Sequence, residues 1–227
     1  MPDVCEVKFP VLRLLCFAAC ATIKKTEGGS NLRENRMFEE MLRVARSWLE
    51  GKSAADVAKK AQARLQENGL GLDCFGVALY VDWSTLSITP EQDPWVQLAV
   101  LHYLNLADGF PLTGEWMSFA QYRDGMIRGG DFDRRVELSV REKLSKLPTE
   151  ALRARALALG GKETVSNADL CVEIPALPRF PLLLKIWFAD EEFEASGRLL
   201  VDKSAAHYLT VEDAVMLGEL ILGKLCI

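Results

Sequence analysis

Residues 93–107 read DPWVQLAVLHYLNLA, and this stretch decides the fold because it predicts a helix that is apolar nearly all round. Asp93 is a good N-cap, and Pro94 suits the first helical position, where no backbone N–H is needed. Asp108 and Gly109 end the pattern. A helix without a polar face belongs in the interior, so we expect this segment to form the centre of the core.

Helical spacing and capping residues predict five further helices around this one. They span 35–50, the segment from Ser53 to Gly69, 132–146, 150–159 and the C-terminal segment after Thr210. The first two are expected to form a hairpin at the N-terminal side. The last has a buried stripe that includes Val215 and Leu222, with Glu212 and Asp213 in its first turn.

Short apolar or alternating runs predict strands between the helices. The candidates are 75–81, 85–88, 116–119, 169–174, 181–188 and 198–202. Their short links favour antiparallel pairing, and the run Leu182–Leu184 is apolar on both faces, which is typical of a central strand. The predicted fold class is α+β: an antiparallel sheet packed by the buried Trp95 helix and the C-terminal helix, with an N-terminal helical hairpin. The residues expected in the core are Trp95, Leu98, Leu101, Leu183, Ile186 and Leu222.

Composition excludes several classes of function. The 227 residues are 49% hydrophobic and 26% charged, with a net charge of −5 and basic residues interspersed among acidic ones. Nucleic acid is therefore not an expected partner. The six cysteines form no Cys-x-x-Cys pair and no zinc or iron–sulfur ligand run, and their scatter is typical of a reducing cytoplasm.

The N-terminal residues 1–34 are interpreted as an extension and linker, and residues 35–227 as a single α+β domain. Phe9–Ala21 is apolar but too short to span a membrane as a helix. Phe17–Cys20 has some likeness to a lipoprotein processing site, but the acidic residues before it disfavour a signal peptide. We expect a cytoplasmic protein that does not associate with membranes.

The two histidines of the chain share a local context, because each is followed by Tyr-Leu. This repetition predicts one shared site, since imidazole titrates near neutral pH and binds metals. The candidate ligand-binding residues are His102, Glu115, Trp116, His207 and Tyr208. His102 lies on the rigid central helix, and His207 precedes a helix N-terminus whose dipole disfavours imidazolium. The alternative is that each histidine only satisfies its own local polar groups.

Two histidines and a carboxylate also match the composition of a non-haem metal triad, although nothing in the spacing forces them together. The acidic run Asp190–Glu194 is typical of a solvated surface, with a hard-cation site as the alternative. The sequence contains no phosphate loop, no Gly-x-Ser-x-Gly elbow and no His-Glu-x-x-His. It therefore predicts no particular cofactor, reaction or catalytic residue.

Several segments together carry a resemblance to known sequences. They are Leu101–Leu104 with Pro111–Phe119, Ala156–Gly161, Pro178–Leu183, and Asp190–Phe193 onward through His207–Asp213. They resemble one uncharacterised prokaryotic family, catalogued as domain of unknown function 3786. The resemblance covers about Met37 to Leu225. It implies an origin in anaerobic bacteria or archaea. Some members carry an iron–sulfur cluster domain like that of corrinoid iron–sulfur proteins, hence labels such as iron–sulfur or metal-binding protein; no such domain is expected here.

Together these observations predict a cytoplasmic binding or accessory protein of anaerobic metabolism, with a small-ligand or cofactor pocket near the two His-Tyr-Leu segments. Its expected partners are a small molecule or a protein of redox or one-carbon metabolism. A metal-dependent enzyme that uses two histidines and a carboxylate is one alternative. A structural or interaction protein without a ligand site is the other.

Overall fold

A computed structural model describes the backbone of residues 31–226 and the side chains of residues 36–226. The chain divides into two units between Glu39 and Glu40, and of the first unit the structure describes only residues 31–39, which are helical. The predictions for Phe9–Ala21 lie outside the described residues. A domain boundary near residue 35 stays a proposal.

The described residues contain six α-helices, and they confirm the N-terminal helix and the α+β class. The helices are α1 (Asn31–Ser47), α2 (Ala54–Ala61), α3 (Pro94–Leu106), α4 (Arg128–Glu142), α5 (Thr149–Ala158) and α6 (Val211–Cys226). Short 3-10 turns occur at Phe119–Gln121, Leu144–Lys146 and Ala205–His207.

The strands of the described residues form two antiparallel sheets rather than the one that was predicted. They are β1 (Arg64–Gln66), β2 (Gly69–Cys74), β3 (Val77–Asp82), β4 (Ile88–Thr89), β5 (Trp116–Met117), β6 (Lys162–Glu163), β7 (Leu170–Leu177), β8 (Phe180–Trp187) and β9 (Ser196–Asp202). The first sheet has the order β1-β2-β3-β4, and the second has the order β5-β9-β8-β7-β6. The apolar strand β8 is central, as predicted.

Helix α3 is the buried centre of the structure, as predicted. Its N-cap Asp93 accepts a hydrogen bond from the Trp95 N–H at 2.9 Å, and the helix packs against α2 on one side and α6 on another. Val96 and every residue from Leu98 to Leu104 are buried. Trp95, also expected in the core, is intermediate in exposure, because it lies in the first turn of α3 between the exposed Asp93 and the buried Val96.

The second helix is shorter than predicted. It begins after the Ser53 cap as expected, but it ends at Ala61, where Gln62 adopts a left-handed conformation (φ 52°) and turns the chain into β1. Leu65, which falls within the predicted helix, lies instead in β1 with 57% of its surface exposed. The structure pairs β1 with β2, and this sheet contact replaces the last turns of the predicted helix.

Helices α4 and α6 approach closely at Gly218. A Cβ atom at this position would lie 2.4 Å from Cζ of Phe132, so only glycine lets the α4 ring pack directly on the α6 backbone. Helix α6 also packs against α3 and α5. These contacts bring the N-terminal end of α6 beside α3, and therefore bring the chain around His207 close to the chain that carries His102.

Candidate functional site

His102 is buried and pairs with an aspartate of the C-terminal helix. Its Nδ1 lies 2.7 Å from Oδ1 of Asp213, and only 4% and 8% of the two side chains are exposed. The other carboxylate oxygen, Oδ2, accepts hydrogen bonds from the Thr210 hydroxyl at 2.7 Å and from its N–H at 3.3 Å. The Asp213 N–H donates in turn to the Thr210 hydroxyl. One carboxylate thus caps α6 and fastens it to α3.

The electrostatics of this pair fix which nitrogen of His102 carries a proton. Burial on its own raises the pKa of Asp213, but His102 and Thr210 outweigh this effect and hold that pKa below its ordinary value. An ionised carboxylate only accepts hydrogen bonds, so Nδ1 must be the donor. The remaining Nε2 is buried without a hydrogen-bond partner, and the ring lies 5.3 Å from that of Trp48.

His207 forms a second pair of the same kind at the surface. Its Nδ1 lies 2.7 Å from Oδ2 of Asp108, but here 39% and 52% of the side chains are exposed. The imidazole stacks on the ring of Phe110, with centroids 4.0 Å apart and planes within 5°. Asp108 directly follows Ala107, the C-cap of α3, and His207 lies on the 3-10 turn before α6, so the pair links the end of one helix to the beginning of the other.

Asp108 is ionised for the same reason as Asp213. Burial would raise the pKa of its carboxyl group, but hydrogen bonds from His207 and from the Phe110 N–H hold that pKa below the ordinary value. Nδ1 of His207 is therefore the donor. In the part of the chain that the structure describes, Nε2 of His207 has no hydrogen-bond partner. It remains available as an acceptor, a base or a ligand atom.

The two His-Tyr-Leu segments meet through their tyrosines. The rings of Tyr103 and Tyr208 stack with centroids 5.7 Å apart. The Tyr103 hydroxyl donates to the Ala61 carbonyl at 2.7 Å and accepts from the Arg179 N–H at 3.0 Å. The Tyr208 hydroxyl donates to the carbonyl oxygen of Phe110. Both rings are buried, and their hydroxyl groups hold the backbone of Ala61, Phe110 and Arg179 in place.

Arg179, in the turn between β7 and β8, completes this group of side chains. Its Nη1 donates to the carbonyl oxygen of Phe110 at 3.3 Å, and its Nε is buried without a hydrogen-bond partner. Burial raises the pKa of Tyr208, and the positive charge of Arg179 opposes this rise. We call Asp108, Phe110, Arg179, His207 and Tyr208 the His207 cluster.

Glu115 and Trp116 lie in the segment 113–116, which pairs with residues 202–204 just before His207. Glu115 pairs with Lys203 at 2.5 Å through their side chains, and the Lys203 N–H donates to the Glu115 carbonyl at 2.9 Å. Trp116 pairs with Asp202 in the β5–β9 ladder. The buried carboxylate of Asp202 accepts from the N–H groups of Thr113, Gly114 and Ser204. These bonds hold residues 113–116 against residues 202–204.

The predicted site residues are thus only partly gathered. Glu115, Trp116, His207 and Tyr208 lie on two segments that the structure places side by side. His102 is instead buried on α3, where it pairs with Asp213. Ligand binding by these five residues stays a prediction. Sequence reasoning missed Asp108, which was assigned only to the helix end. It also missed Arg179, although that residue lies in one of the segments that carry the family resemblance.

Among the side chains of residues 36–226, no three or more His, Cys, Asp or Glu are grouped so that they could hold a metal ion. In the same part of the chain, no helix combines the length and the apolar character needed to cross a membrane.

The fold and these contacts define an α+β protein with one buried and one exposed His–Asp pair. The model of one protein family, described as domain of unknown function (DUF3786), matches residues 53–224. This is well over half of the chain, so the protein belongs to that family, and the resemblance seen in the sequence is confirmed. No curated protein and no solved structure matches the chain.

Proposed function

We propose that this protein is a binding or accessory protein whose small-molecule ligand is held at the His207 cluster. One observation carries the proposal: a partly exposed imidazole is fixed in place by Asp108 at one ring nitrogen and by Phe110 across its face. Holding a surface side chain in one rotamer costs conformational entropy. A site that must present Nε2 in a defined direction is a reason for accepting that cost.

The groups beneath the imidazole support the same proposal. Tyr208 and Arg179 both donate to the carbonyl oxygen of Phe110, so the residue that stacks on His207 is itself fixed. Polar groups that converge beside exposed apolar side chains are what a small-ligand site needs. The same contacts would also brace the turn before α6, and binding measurements separate the two roles.

The proposed setting is the cytoplasm of an anaerobe, and it rests on the family resemblance and on the cysteines. Cys74, Cys171 and Cys226 are free thiols, and burial raises the pKa of Cys74 to about 12, which keeps it unreactive. The ligand would be a small molecule, or a group carried by a protein of redox or one-carbon metabolism. With a net charge of −5, nucleic acid is not proposed as a partner.

The test is to purify the protein without oxygen and to combine native mass spectrometry with elemental analysis. We expect a non-covalently bound small molecule that is lost in His207→Gln. Asp73→Asn is the matched control, because Asp73 forms an exposed pair of the same 2.7 Å length with Arg64 on the first sheet. This control should keep the ligand.

Other results would favour the other functions. Stoichiometric metal that depends on His207 would favour the metal-dependent enzyme. A protein that carries neither metal nor small molecule, and that takes up none, would favour the structural or interaction role.

A further inference from the structure

We infer that the ligand of the His207 cluster is an organic anion, a phosphate or carboxylate attached to an apolar group. This inference rests on the proposed function and adds the chemical class of the ligand. It follows from the charges around the C-terminal end of α3 and from the apolar side chains beside them.

Arg179 supplies the first charge. Its guanidinium donates to the carbonyl oxygen of Phe110 and also contacts the Tyr208 hydroxyl, and among the described residues no carboxylate pairs with it. A guanidinium carries five donors in a fixed planar arrangement that matches the oxygens of a carboxylate or phosphate. Among the described residues no carboxylate uses these donors and Nε is buried without a partner, although Asp108 lies in the same cluster and pairs with His207 instead.

Two lysines add to the positive charge. Gly109 packs against Lys60, since a Cβ atom at this glycine would lie 3.6 Å from the Lys60 Cα and 3.7 Å from its Cγ. Lys52 donates to the carbonyl and side-chain oxygens of Asn105 at 3.0 and 2.6 Å, which suits a helix C-terminus. Burial lowers the pKa of Lys52, and the positive charge of Lys60 lowers it further, because the two ammonium groups repel each other.

The local balance therefore differs from that of the whole chain. Lys52, Lys60 and Arg179 each contact residues 105–110, a segment whose acidic member is Asp108, whereas the complete protein carries a net charge of −5. In the described part of the chain, neither lysine forms an ion pair with a carboxylate. An anion bound beside His207 would use this excess charge, and a cation would be repelled by it.

The apolar requirement comes from the loop after α3. Phe110 and Leu112 are 42% and 40% exposed. Phe110 lies against the imidazole, and its carbonyl oxygen accepts from the guanidinium. The aromatic ring is held in place by His207 and by the bonds to its own carbonyl group. A ligand with an apolar or planar part would cover these side chains, whereas a small inorganic ion would leave them in water.

The experiment measures binding of four probes to the full chain by calorimetry and by NMR shifts of the His207 ring. The probes are phenyl phosphate, inorganic phosphate, benzoate and acetate. We expect at least one aromatic anion to bind about tenfold more tightly than its counterpart without a ring, and Arg179→Gln to weaken that binding about tenfold. The phosphate and carboxylate arms show which anion is preferred.

Arg64→Gln is the matched control, because Arg64 is an arginine on the other sheet and forms an exposed pair with Asp73. It should bind the probes as the unmodified protein does. If Arg179→Gln does not fold, Lys60→Gln provides the second test, since Lys60 is exposed and its side chain makes no hydrogen bond within the described residues. We expect a severalfold loss of affinity in that variant.

Two results would overturn the inference. One is that none of the four anions shifts the His207 ring at concentrations up to about 10 mM. The other is that an anion binds equally well to Arg179→Gln and to the unmodified protein. In either case, a neutral or cationic molecule found by native mass spectrometry and lost in His207→Gln would leave the proposed function standing. If no molecule of any charge depends on His207, the proposed function fails as well.

Discussion

The two His–Asp pairs of this protein have the same geometry and different surroundings. In both, Nδ1 of the imidazole lies 2.7 Å from a carboxylate oxygen, and in both the pKa of the aspartate is held below its ordinary value. The exposed fractions are 4% and 8% for His102 and Asp213, but 39% and 52% for His207 and Asp108. Burial, rather than hydrogen-bond length, therefore separates their roles.

The difference lies in what each pair is worth to the fold. Inside a protein, removing one partner leaves the other polar group without water or a substitute, which is strongly destabilising. At the surface, water replaces the lost partner and the loss is small. The buried pair thus fastens α3 to α6, whereas the exposed pair contributes little stability and is free to serve an orienting role.

Asp213→Ala has the largest expected effect. Removal of the carboxylate leaves His102 buried without a hydrogen bond at either ring nitrogen, and it removes the acceptor that caps α6 at Thr210. Breaking a buried pair of this kind costs about 3–5 kcal/mol, and we expect the free energy of unfolding to fall by that amount. Urea denaturation followed by circular dichroism measures the change.

The matched variant is Asp108→Ala, which removes the exposed partner at the same distance. Its expected cost is at most about 1 kcal/mol. Equal losses in the two variants would show that burial does not distinguish the two pairs.

The second prediction concerns acid. Because the folded-state pKa of Asp213 lies below the ordinary value of 3.8, the unfolded chain takes up this proton at a higher pH than the folded protein does. The stabilising contribution is therefore complete above about pH 5 and is lost as the pH falls through the folded-state pKa. The difference in unfolding free energy between the unmodified protein and Asp213→Asn should shrink below pH 4.

Denaturation curves between about pH 7 and pH 3 test this, with Asp108→Asn measured alongside. The Asp108 contribution has the same sign, but solvent screening makes it smaller. If the difference in unfolding free energy between the unmodified protein and Asp213→Asn stays constant to the lowest pH, the carboxylate charge does not stabilise the buried pair.

The sequence predicted those parts of the fold that depend on neighbouring residues. Asp93 and Thr210 are good helix caps in any context. The run Leu182–Leu184 lies in the central strand of its sheet, as expected for a strand that is apolar on both faces. Strand β2 was missed, because its glycines lower strand propensity. Gly69 is required by a partner across the sheet: a Cβ atom there would lie 2.1 Å from the Val81 carbonyl oxygen.

The candidate site shows the same division. Each histidine has a carboxylate partner that lies far away in sequence: Asp213 is 111 residues from His102, and Asp108 is 99 residues from His207. No local pattern encodes such a pairing. The repeated His-Tyr-Leu context did indicate a meeting of the two segments, although the structure joins them through Tyr103 and Tyr208.

The third prediction compares these tyrosines. Tyr103→Phe removes a hydroxyl that serves both the Ala61 carbonyl and the Arg179 N–H, and it leaves two backbone groups unsatisfied. We expect a loss of about 1–3 kcal/mol. Tyr208→Phe should cost less, about 0.5–1.5 kcal/mol, because the Phe110 carbonyl keeps its bond from Arg179.

Thermal and urea denaturation of both variants provide the measurement. The reverse order, with the Tyr208 variant less stable, would mean that the His207 cluster contributes more to the fold than its exposure suggests. The proposed division between a stabilising and an orienting pair would then be wrong.

The last prediction concerns the protonated nitrogen of His207 in the variant Asp108→Ala, which should have the smallest effect on stability. In the unmodified protein the ionised carboxylate accepts from Nδ1, so His207 keeps its proton there when the ring is neutral. Without Asp108 that preference disappears, and nitrogen NMR should show the proton of the neutral ring shared with Nε2. The His102 signals provide the internal control, since its partner Asp213 is untouched and should keep Nδ1 protonated. If His207 retains its Nδ1 proton without Asp108, then Phe110 and the turn fix the ring without the carboxylate, and Asp108 has no orienting role.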